Sequence, residues 1–344
     1  QEVMIVRTSN MAFDVTDEVH PDNAELACLA ARIVGLDIAG IDLVCEDISR
    51  PLAEQRGAIV EVNAGPGLLM HIKPAVGQPR PVGEAIVDHL FAKDEDSRIP
   101  VVGVTGSRGK TPVARLIAHL LRLSGQYTGL ACSEGVFLDG RQVETAEGTN
   151  WDAAERVLMN RSVEAAVFEN SHRSILADGT VYDRCQVGVV TNIDPELHYG
   201  EFYIDTPEKV WNTFRTQIDL VLSNGAAILN AEDPAVVELA ELSDGEVIFY
   251  AVDSAAEAVA TARSEGKRTV YVKDGAIVLA TGETEDPVAR LAKIAMLAGG
   301  KGEQPGVLSN LLAAVAAAWA LGVSPAMIRA GVKPYDPAAP LRNE

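Results

Sequence analysis

Cysteine, aromatic residues and positive charge are all scarce in this sequence. Its 344 residues include four cysteines, Cys28, Cys45, Cys132 and Cys185, with neither CxxC nor metal-site spacing. A disulfide framework or a zinc site is therefore disfavoured, and the thiols are expected to be buried. No apolar run approaches the roughly 20 residues that a membrane-spanning helix needs, and the first residues do not resemble a signal peptide. We therefore expect a cytoplasmic protein with no membrane partner.

The deficit of positive charge restricts the possible partners. The chain has 29 lysine and arginine residues against 49 aspartate and glutamate residues, which gives a net charge of −20. Such a charge repels phosphate backbones, so nucleic acid is disfavoured as a partner and cationic ligands are favoured. Two interpretations remain open, namely a solubilising acidic surface and the attraction of an arginine-rich ligand.

The chain is long enough and apolar enough for two domains. Hydrophobic residues make up 47% and charged residues 23% of it, which is typical of a soluble globular protein. Single cores stop growing near roughly 250 to 300 residues. Five charges fall within the six residues 93–98, just ahead of an apolar strand pattern. We predict a first domain at 1–92, a linker at 93–99 and a second domain at 100–344.

Hydrophobic patterning predicts an α/β fold in both parts. In the first part it predicts helices at 23–35 and 82–91 and strands at 41–44 and 58–63. In the second part, strands alternate with helical patterns, which is typical of a doubly wound parallel sheet. Its predicted strands lie at 101–104, 165–169, 187–192 and 226–230, and its predicted helices at 113–124 and 207–218. Short β segments at 246–252, 268–272 and 276–279 and a final alanine-rich helix at 308–321 follow.

The first candidate site is a set of oxygen-bearing side chains on two neighbouring strands. Glu61 and Asn63 are two residues apart on one strand, so both point to the same face, and the strand then breaks at a Gly-Pro-Gly turn. Asp42 lies on the preceding strand. Three hard oxygen ligands suit Mg²⁺ that also holds nucleotide phosphates. The alternative is an edge strand whose polar residues face water.

The second candidate site is a glycine-rich turn between a strand and an amphipathic helix. The residues Gly106, Gly109, Lys110 and Thr111 form a Gly-Ser-Arg-Gly-Lys-Thr stretch. In this arrangement, backbone N–H groups and a helix N-terminus hold phosphates. Lys110 is expected to reach the phosphates and Thr111 the Mg²⁺.

The first part of the chain resembles the end of the ATP-grasp domain of the cyanophycin synthetase family. The resemblance is carried by GIDLVCEDISRPL at 40–52, EVNAGPGLLMH at 61–71 and GQPRPVGEAIVDHLF at 77–91. It implies that Asp42, Glu61 and Asn63 hold the Mg²⁺ ions of ATP. It also implies that Arg7 and Asn10, in an Arg-Thr-Ser-Asn stretch, lie near the phosphates or the peptide substrate. A Ser-Thr-Gly-Gly stretch that the family has soon after this point is missing.

The remaining residues, 99–344, resemble the Mur ligases and the second module of the same family. The resemblance implies that Glu169 and His198 are Mg²⁺ ligands and that Asn230 and Asp233 contact the nucleotide. Of these positions, all but the last two are expected at the carboxyl ends of parallel strands, where open α/β sheets bind ligands.

Several positions depart from the Mur-like pattern. Arg108 stands where the family has asparagine, and Pro112, which has no N–H donor, where it has threonine. Leu197 stands where an aspartate normally precedes the histidine. The chain also stops at Glu344, close to the hinge that leads into a third Mur domain in the family. We therefore expect a degenerate, truncated Mur-like module that lacks the final domain and is chiefly structural.

The resemblance implies an ATP- and Mg²⁺-dependent ligase with cyanophycin and its primer as partners, and a homo-oligomer. One intact ATP-grasp site beside an altered Mur-like module is similar to the type that polymerises preformed β-aspartyl-arginine dipeptides. One alternative is a two-site synthetase that adds free aspartate and arginine in turn. A second alternative is a noncatalytic nucleotide-binding or assembly protein.

Overall fold

The computed structural model describes residues 11–93, 95, 97–304 and 306–336. The chain divides into two compact units, Gln1–Ser97 and Arg98–Glu344, called unit 1 and unit 2 below. The division falls inside the stretch 93–99. Among the helices that the structure describes, none has both the length and the apolar character to cross a bilayer.

Within its described residues, unit 1 contains a two-stranded antiparallel sheet and three α-helices. In chain order its elements are α1 (Pro21–Val34), β1 (Gly40–Val44), β2 (Ala58–Asn63), α2 (Leu69–Ile72) and α3 (Val82–Leu90). The two strands and the two longer helices confirm the predicted pattern. Local signals set the bounds of α1: the His20 side chain accepts a hydrogen bond from the N–H of Asp22, and Gly35 ends the helix in the left-handed conformation.

The described part of unit 2 is built on one eleven-stranded sheet. Its strands are β3 (Val101–Thr105), β4 (Thr128–Cys132), β5 (Gly135–Leu138), β6 (Arg141–Glu144), β7 (Ala165–Glu169), β8 (Cys185–Val190), β9 (Val221–Asn230), β10 (Glu246–Ala251), β11 (Arg268–Lys273), β12 (Ala276–Thr281) and β13 (Thr284–Arg290). The spatial order is β13-β12-β11-β10-β9-β8-β3-β7-β4-β5-β6. The seven strands from β11 to β4 are parallel, whereas two antiparallel strands extend each edge. The parallel centre is as predicted, and the antiparallel edges are not.

Helices cover both faces of this sheet. They are α4 (Lys110–Leu123), α5 (Trp151–Leu158), α6 (His172–Ala177), α7 (Pro207–Asp219), α8 (Pro234–Val237), α9 (Glu257–Ser264), α10 (Val307–Ala320) and α11 (Pro325–Val332). Successive residues of β9 belong to different cores: Ile228 packs with α4 and α10, and Leu229 with α7 and α9. This alternation places one core on each face. The alanine-rich helix α10 was predicted to be the final helix, and this is wrong because α11 follows it.

The interior of β3 shows why the central strand needs a glycine. All five of its residues are buried. A Cβ atom on Gly103 would lie 2.1 Å from the Tyr182 hydroxyl and 2.3 Å from Gln217 Oε1. These two polar groups and the Asn170 amide form a buried hydrogen-bonded cluster. Because Gly103 has no side chain, this cluster has room to form, and it fixes the position of Asn170, the residue that follows Glu169.

The prediction of four buried thiols is wrong for two of them. Cys132 and Cys185 are buried, but Cys28 is exposed and Cys45 is half-buried. Cys28 lies on α1 and Cys45 directly follows β1, and both elements bury only part of their surface within the described portion of unit 1.

Candidate functional site

The phosphate-loop sequence forms a tight turn between β3 and α4. Gly106 and Gly109 have φ angles of 128° and 83°, in the left-handed region that only glycine adopts readily. A Cβ atom on Gly106 would lie 2.3 Å from Thr191 Oγ1, and one on Gly109 would lie 2.2 Å from Asn310 Oδ1. Both glycines therefore serve the backbone path and the close approach of β8 and α10.

The segment that follows β8 braces this loop. Asn192 accepts hydrogen bonds from the N–H of Ser107 at its carbonyl (2.9 Å) and from the N–H of Arg108 at its side chain (3.0 Å). The hydroxyl of Thr191 donates to the carbonyl of Arg108 at 2.7 Å. At the rim, the guanidinium of Arg108 pairs with Asp194 at 3.0 Å. Two N–H groups of the loop are thus already used within the protein.

Three further N–H groups face no acceptor in the part of the chain that the structure describes. They belong to Gly109, Lys110 and Thr111, at the start of α4. Such free donors at a helix N-terminus attract anions. Pro112, the third residue of α4, has no N–H to add. The helix itself loses no hydrogen bond, because N–H groups in a first turn have no partner within the helix. An anion bound at this terminus, however, has one hydrogen-bond donor fewer.

Lys110, Thr111 and Glu169 come together at the carboxyl ends of β3 and β7. Lys110 Nζ donates to the carbonyl of Gly106 at 3.0 Å. Burial lowers the pKa of Lys110, and the charge of Glu169 opposes that shift. Glu169 is buried, with 5% of its surface exposed. Its carboxylate accepts a hydrogen bond from the N–H of Ser133 at 2.9 Å. The Thr111 hydroxyl lies 2.9 Å from that of Ser133. A cation, a hydroxyl and a buried carboxylate thus surround the mouth of the loop.

The other predicted residues of this site are more scattered. His198 is exposed, in the connection between β8 and α7, and contributes weakly, after Lys209, to lowering the pKa of Asp205. Leu197 packs against the core on the α7 face. Within the described residues, no three histidine, cysteine, aspartate or glutamate side chains cluster as metal ligands do. The role of His198 as a magnesium ligand stays a prediction.

Asn230 and Asp233 are engaged within the protein. Asn230 is the last residue of β9, so it also lies at a carboxyl strand end, contrary to the sequence-based expectation. Its side chain donates to the carbonyl of Thr191 at 3.0 Å. Asp233 caps α8 and also accepts from the N–H of Ile193 at 2.8 Å. Both residues connect β9 to the segment that braces the phosphate loop, and their contact with a nucleotide stays a prediction.

Sequence analysis missed His172, which stacks on Tyr199. The two rings are 3.6 Å apart between centroids and nearly parallel, at 8°. Burial lowers the pKa of His172, and the nearby charge of Lys110 lowers it further. Both effects favour the neutral imidazole, and the ring lies near Lys110 of the phosphate loop. The available signal was its position three residues after Glu169, at a strand end where ligands bind.

In unit 1, the two strands bring the predicted oxygen ligands to one face. Asp42 and Glu61 are direct cross-strand partners, and Asn63 lies opposite Gly40. Opposed residues share a face of an antiparallel pair, so all three side chains point the same way. Both carboxylates are exposed among the described residues. Their hard oxygen atoms fit the ligand preference of Mg²⁺.

The turn after β2 packs directly on this pair of strands. A Cβ atom on Gly40 would lie 2.7 Å from Cβ of Pro66, in the Gly-Pro-Gly turn. Gly40 therefore lets the turn fold back beside Asn63. Arg7 and Asn10 lie outside the described residues, so their predicted roles stay predictions.

The sheet order, the phosphate loop and its flanking residues agree with one family. Residues 104–318, well over half of the chain, match the Mur ligase middle domain. The chain belongs to the Mur ligase middle-domain family. The matched range runs from β3 into α10, so it includes the phosphate loop, Glu169, His198, Asn230 and Asp233.

Cyanophycin synthetases are also similar to this chain, along nearly all of its length. A cyanophycin synthetase from Nostoc sp. is 37% identical over 328 residues, which are 95% of this chain and 36% of that protein. One from Geminocystis herdmanii is 37% identical over 333 residues, 96% of this chain and 38% of that protein. The predicted family resemblance is confirmed. The chain spans little more than a third of the length of these relatives.

A solved structure confirms the fold of the Mur-like part. The structure of a UDP-N-acetylmuramoyl-L-alanyl-D-glutamate–2,6-diaminopimelate ligase aligns with a TM-score of 0.53 at 18% identity. The alignment covers 73% of this chain and 49% of that one. At this identity the likeness concerns the fold alone. The assignment of unit 1 to an ATP-grasp domain stays a prediction.

Proposed function

We propose that this protein is an ATP-dependent amide ligase that acts in cyanophycin synthesis. The proposal is supported by 37% identity to cyanophycin synthetases along nearly the whole chain. In such a reaction, a peptide carboxylate attacks the γ-phosphate of ATP and gives an acyl phosphate and ADP. An amine then attacks the acyl carbon, and phosphate leaves as the amide forms.

In this proposal the ligation takes place in unit 1. The observation that carries it is the direct opposition of Asp42 and Glu61, with Asn63 on the same strand face. These side chains would hold Mg²⁺, which when bound neutralises charge on the transferring phosphoryl group. Arg7 and Asn10 would orient the phosphates or the peptide carboxylate.

We further propose that the substrate is the β-aspartyl-arginine dipeptide and that the Mur-like site contributes structure. Three features support a weakened site. Pro112 lacks a donor at the start of α4, Arg108 is paired with Asp194 at the rim, and the half-buried Leu197 packs against the core where the family has an aspartate. Joining preformed dipeptides requires a single ligase site, whereas adding aspartate and arginine in turn requires two.

The decisive experiment supplies full-length protein with ATP, Mg²⁺ and a cyanophycin primer. One reaction contains the dipeptide and the other contains free aspartate plus arginine, and phosphate release and insoluble polymer are measured. We expect polymer from the dipeptide alone. Polymer from the free amino acids would instead establish the two-site alternative, and no phosphate release with any substrate would favour a noncatalytic nucleotide-binding or assembly protein.

Paired variants locate the active site. Glu61→Gln removes one negative oxygen ligand and is expected to lower polymer synthesis by at least about a hundredfold, because a metal ligand is lost. Lys110→Ala is the matched change in the Mur-like site and is expected to leave turnover within about twofold. A large loss of activity in folded Lys110→Ala protein would show that the Mur-like site takes part in catalysis.

A further inference from the structure

A groove at one edge of the unit 2 sheet has a charge opposite to that of the whole chain. It lies along β12 and β13 and reaches α11, and its volume is about 450 Å³. Five cationic side chains line it, namely Lys273, Arg290, Lys293, Arg329 and Lys333. Two acidic residues, Asp274 and Glu285, are also present. A net positive groove on a chain of net charge −20 concentrates a local field that attracts anions.

Ion pairs inside the groove leave three of its cations uncompensated. Glu285 lies 2.7 Å from Lys273 and 3.1 Å from Arg263, and the pKa of its carboxyl is lowered chiefly by Lys273. Within the described residues, no carboxylate lies within 4 Å of the charged groups of Arg290, Lys293 or Lys333. These three cations are therefore available to a ligand.

The floor of the groove favours a peptide over a purely polar anion. It is lined by five apolar residues, of which Pro287 is exposed and the other four, Ala276, Val278, Val288 and Ala289, are buried. β13 is the outermost strand of the sheet, a position at which extended peptides commonly bind. A peptide can lay methylene groups on the exposed ring of Pro287 while its carboxylates meet the lysine and arginine side chains. A polyphosphate chain would cover the same floor with charged oxygens and lose that apolar contact.

We propose that this groove binds an acidic peptide. It is lined by β12, β13, Lys293 and the end of α11 with Lys333. Arg290, Lys293 and Lys333 supply the charge that selects carboxylates, and the apolar floor accepts the rest of the chain. The ligand class is a peptide with several carboxylates in sequence. The assignment is independent of the proposed ligase activity, because it requires neither ATP nor a catalytic site.

The test measures binding of a fluorescein-labelled oligo-aspartate of about ten residues to the full-length protein by fluorescence anisotropy. No nucleotide is added, so the outcome is separate from that of the ligase assay. We expect binding that weakens as ionic strength rises. In the triple variant Arg290→Glu, Lys293→Glu, Lys333→Glu we expect affinity lower by about tenfold or more, because three attractions become repulsions.

The matched control reverses the same number of charges elsewhere on unit 2. Arg141 and Lys267 are exposed, Arg215 is half-buried, and all three lie outside the groove. Their replacement by glutamate should change affinity by less than about twofold, the small effect of distant surface charge. If the triple groove variant does not fold, the double variant Arg290→Gln, Lys293→Gln takes its place, since both residues are exposed. Equal loss in groove and control variants would overturn the proposal. Polyphosphate binding without oligo-aspartate binding would equally overturn the peptide assignment.

Discussion

The carboxylate of Asp14 lies 2.7 Å from the guanidinium of Arg80, and this ion pair joins two segments of unit 1 that are 66 residues apart. The Asp14 side chain is 8% exposed, and Arg80 also pairs with Asp17 at 2.7 Å. The hydrogen bond from Arg80 is the main cause that holds the pKa of Asp14 far below its ordinary value of 3.8.

The first prediction follows from the direction of that shift. A lowered pKa in the folded protein means that ionised Asp14 stabilises unit 1 at pH values above that ordinary pKa. This contribution is lost as the pH falls further. We expect Arg80→Met to lower the unfolding temperature at pH 7, with a difference from the wild type that shrinks below about pH 4. Thermal unfolding across pH tests this, with Arg50→Met, at an exposed pair, as the control.

The second prediction concerns the donor missing at Pro112. Pro112→Ala adds one N–H to the start of α4, and a hydrogen bond to a charged group contributes about 1.5–3 kcal/mol. We expect ADP to bind the Mur-like site about tenfold more tightly or better. Calorimetry of full-length protein measures this as the binding component that Lys110→Ala removes. Unchanged affinity in both Pro112→Ala and Pro112→Thr would mean that the missing N–H does not limit binding.

The third prediction separates two roles of Gly109. Gly109→Ala introduces a Cβ atom 2.2 Å from Asn310 Oδ1 at a φ of 83°, and we expect a cost of about 1–3 kcal/mol in the free energy of unfolding. The double variant Gly109→Ala, Asn310→Ala removes the clash and retains the backbone strain, about 1 kcal/mol. Urea denaturation of the two variants and of Asn310→Ala alone gives both contributions. A single variant as stable as the wild type would contradict this assignment.

The fourth prediction uses the stacked His172. Its pKa is lowered in the folded protein, so the unfolded chain takes up the proton first as the pH falls below about 6.5. Protonation places a second cation near Lys110, while Arg173 adds repulsion and Glu201 opposes it. The free energy of unfolding should therefore decrease as the pH falls through and below 6.5.

His172→Phe provides the control for that experiment. Phenylalanine keeps an aromatic ring on Tyr199 but cannot titrate, so the variant should lose part of the pH dependence and keep its stability at pH 8. The remaining dependence would include His119, whose pKa burial also lowers. Identical pH profiles for the variant and the wild type would show that His172 does not couple to folding.

The elements with the strongest patterning were predicted best. β7 was predicted at its observed bounds. The helix α4 begins three residues before its predicted start and includes Pro112 in its first turn, where proline is accepted. The strands β4 to β6 were missed. Gly129 and Gly135 suggest turns, but Gly129 lies in a buried strand. Glycine is needed there because a Cβ atom would lie 2.4 Å from Val157 Cγ1. Close approach of a distant helix cannot be inferred from local sequence.

The two candidate sites also differ in how far local sequence predicts them. The shared face of Glu61 and Asn63 follows from strand alternation alone, and Asp42 needed only the correct pairing of two neighbouring strands. The brace formed by Asn192 and Asp194 depends on β8 lying beside β3, with partners 84 and 86 residues apart. Nothing in the local sequence specifies that adjacency, so the use of two loop N–H groups became visible only in the fold.

The brace by Asn192 makes the phosphate loop a preorganised receptor. Because the amides of Ser107 and Arg108 are hydrogen-bonded before any anion arrives, they should exchange slowly with deuterated water in the free protein. The amides of Gly109, Lys110 and Thr111 should exchange quickly and become protected when an anion occupies the loop. Because the loop already has its bound conformation, little backbone entropy would be lost when an anion binds. The loop can therefore keep one conformation with and without the anion, although Pro112 removes one of its donors.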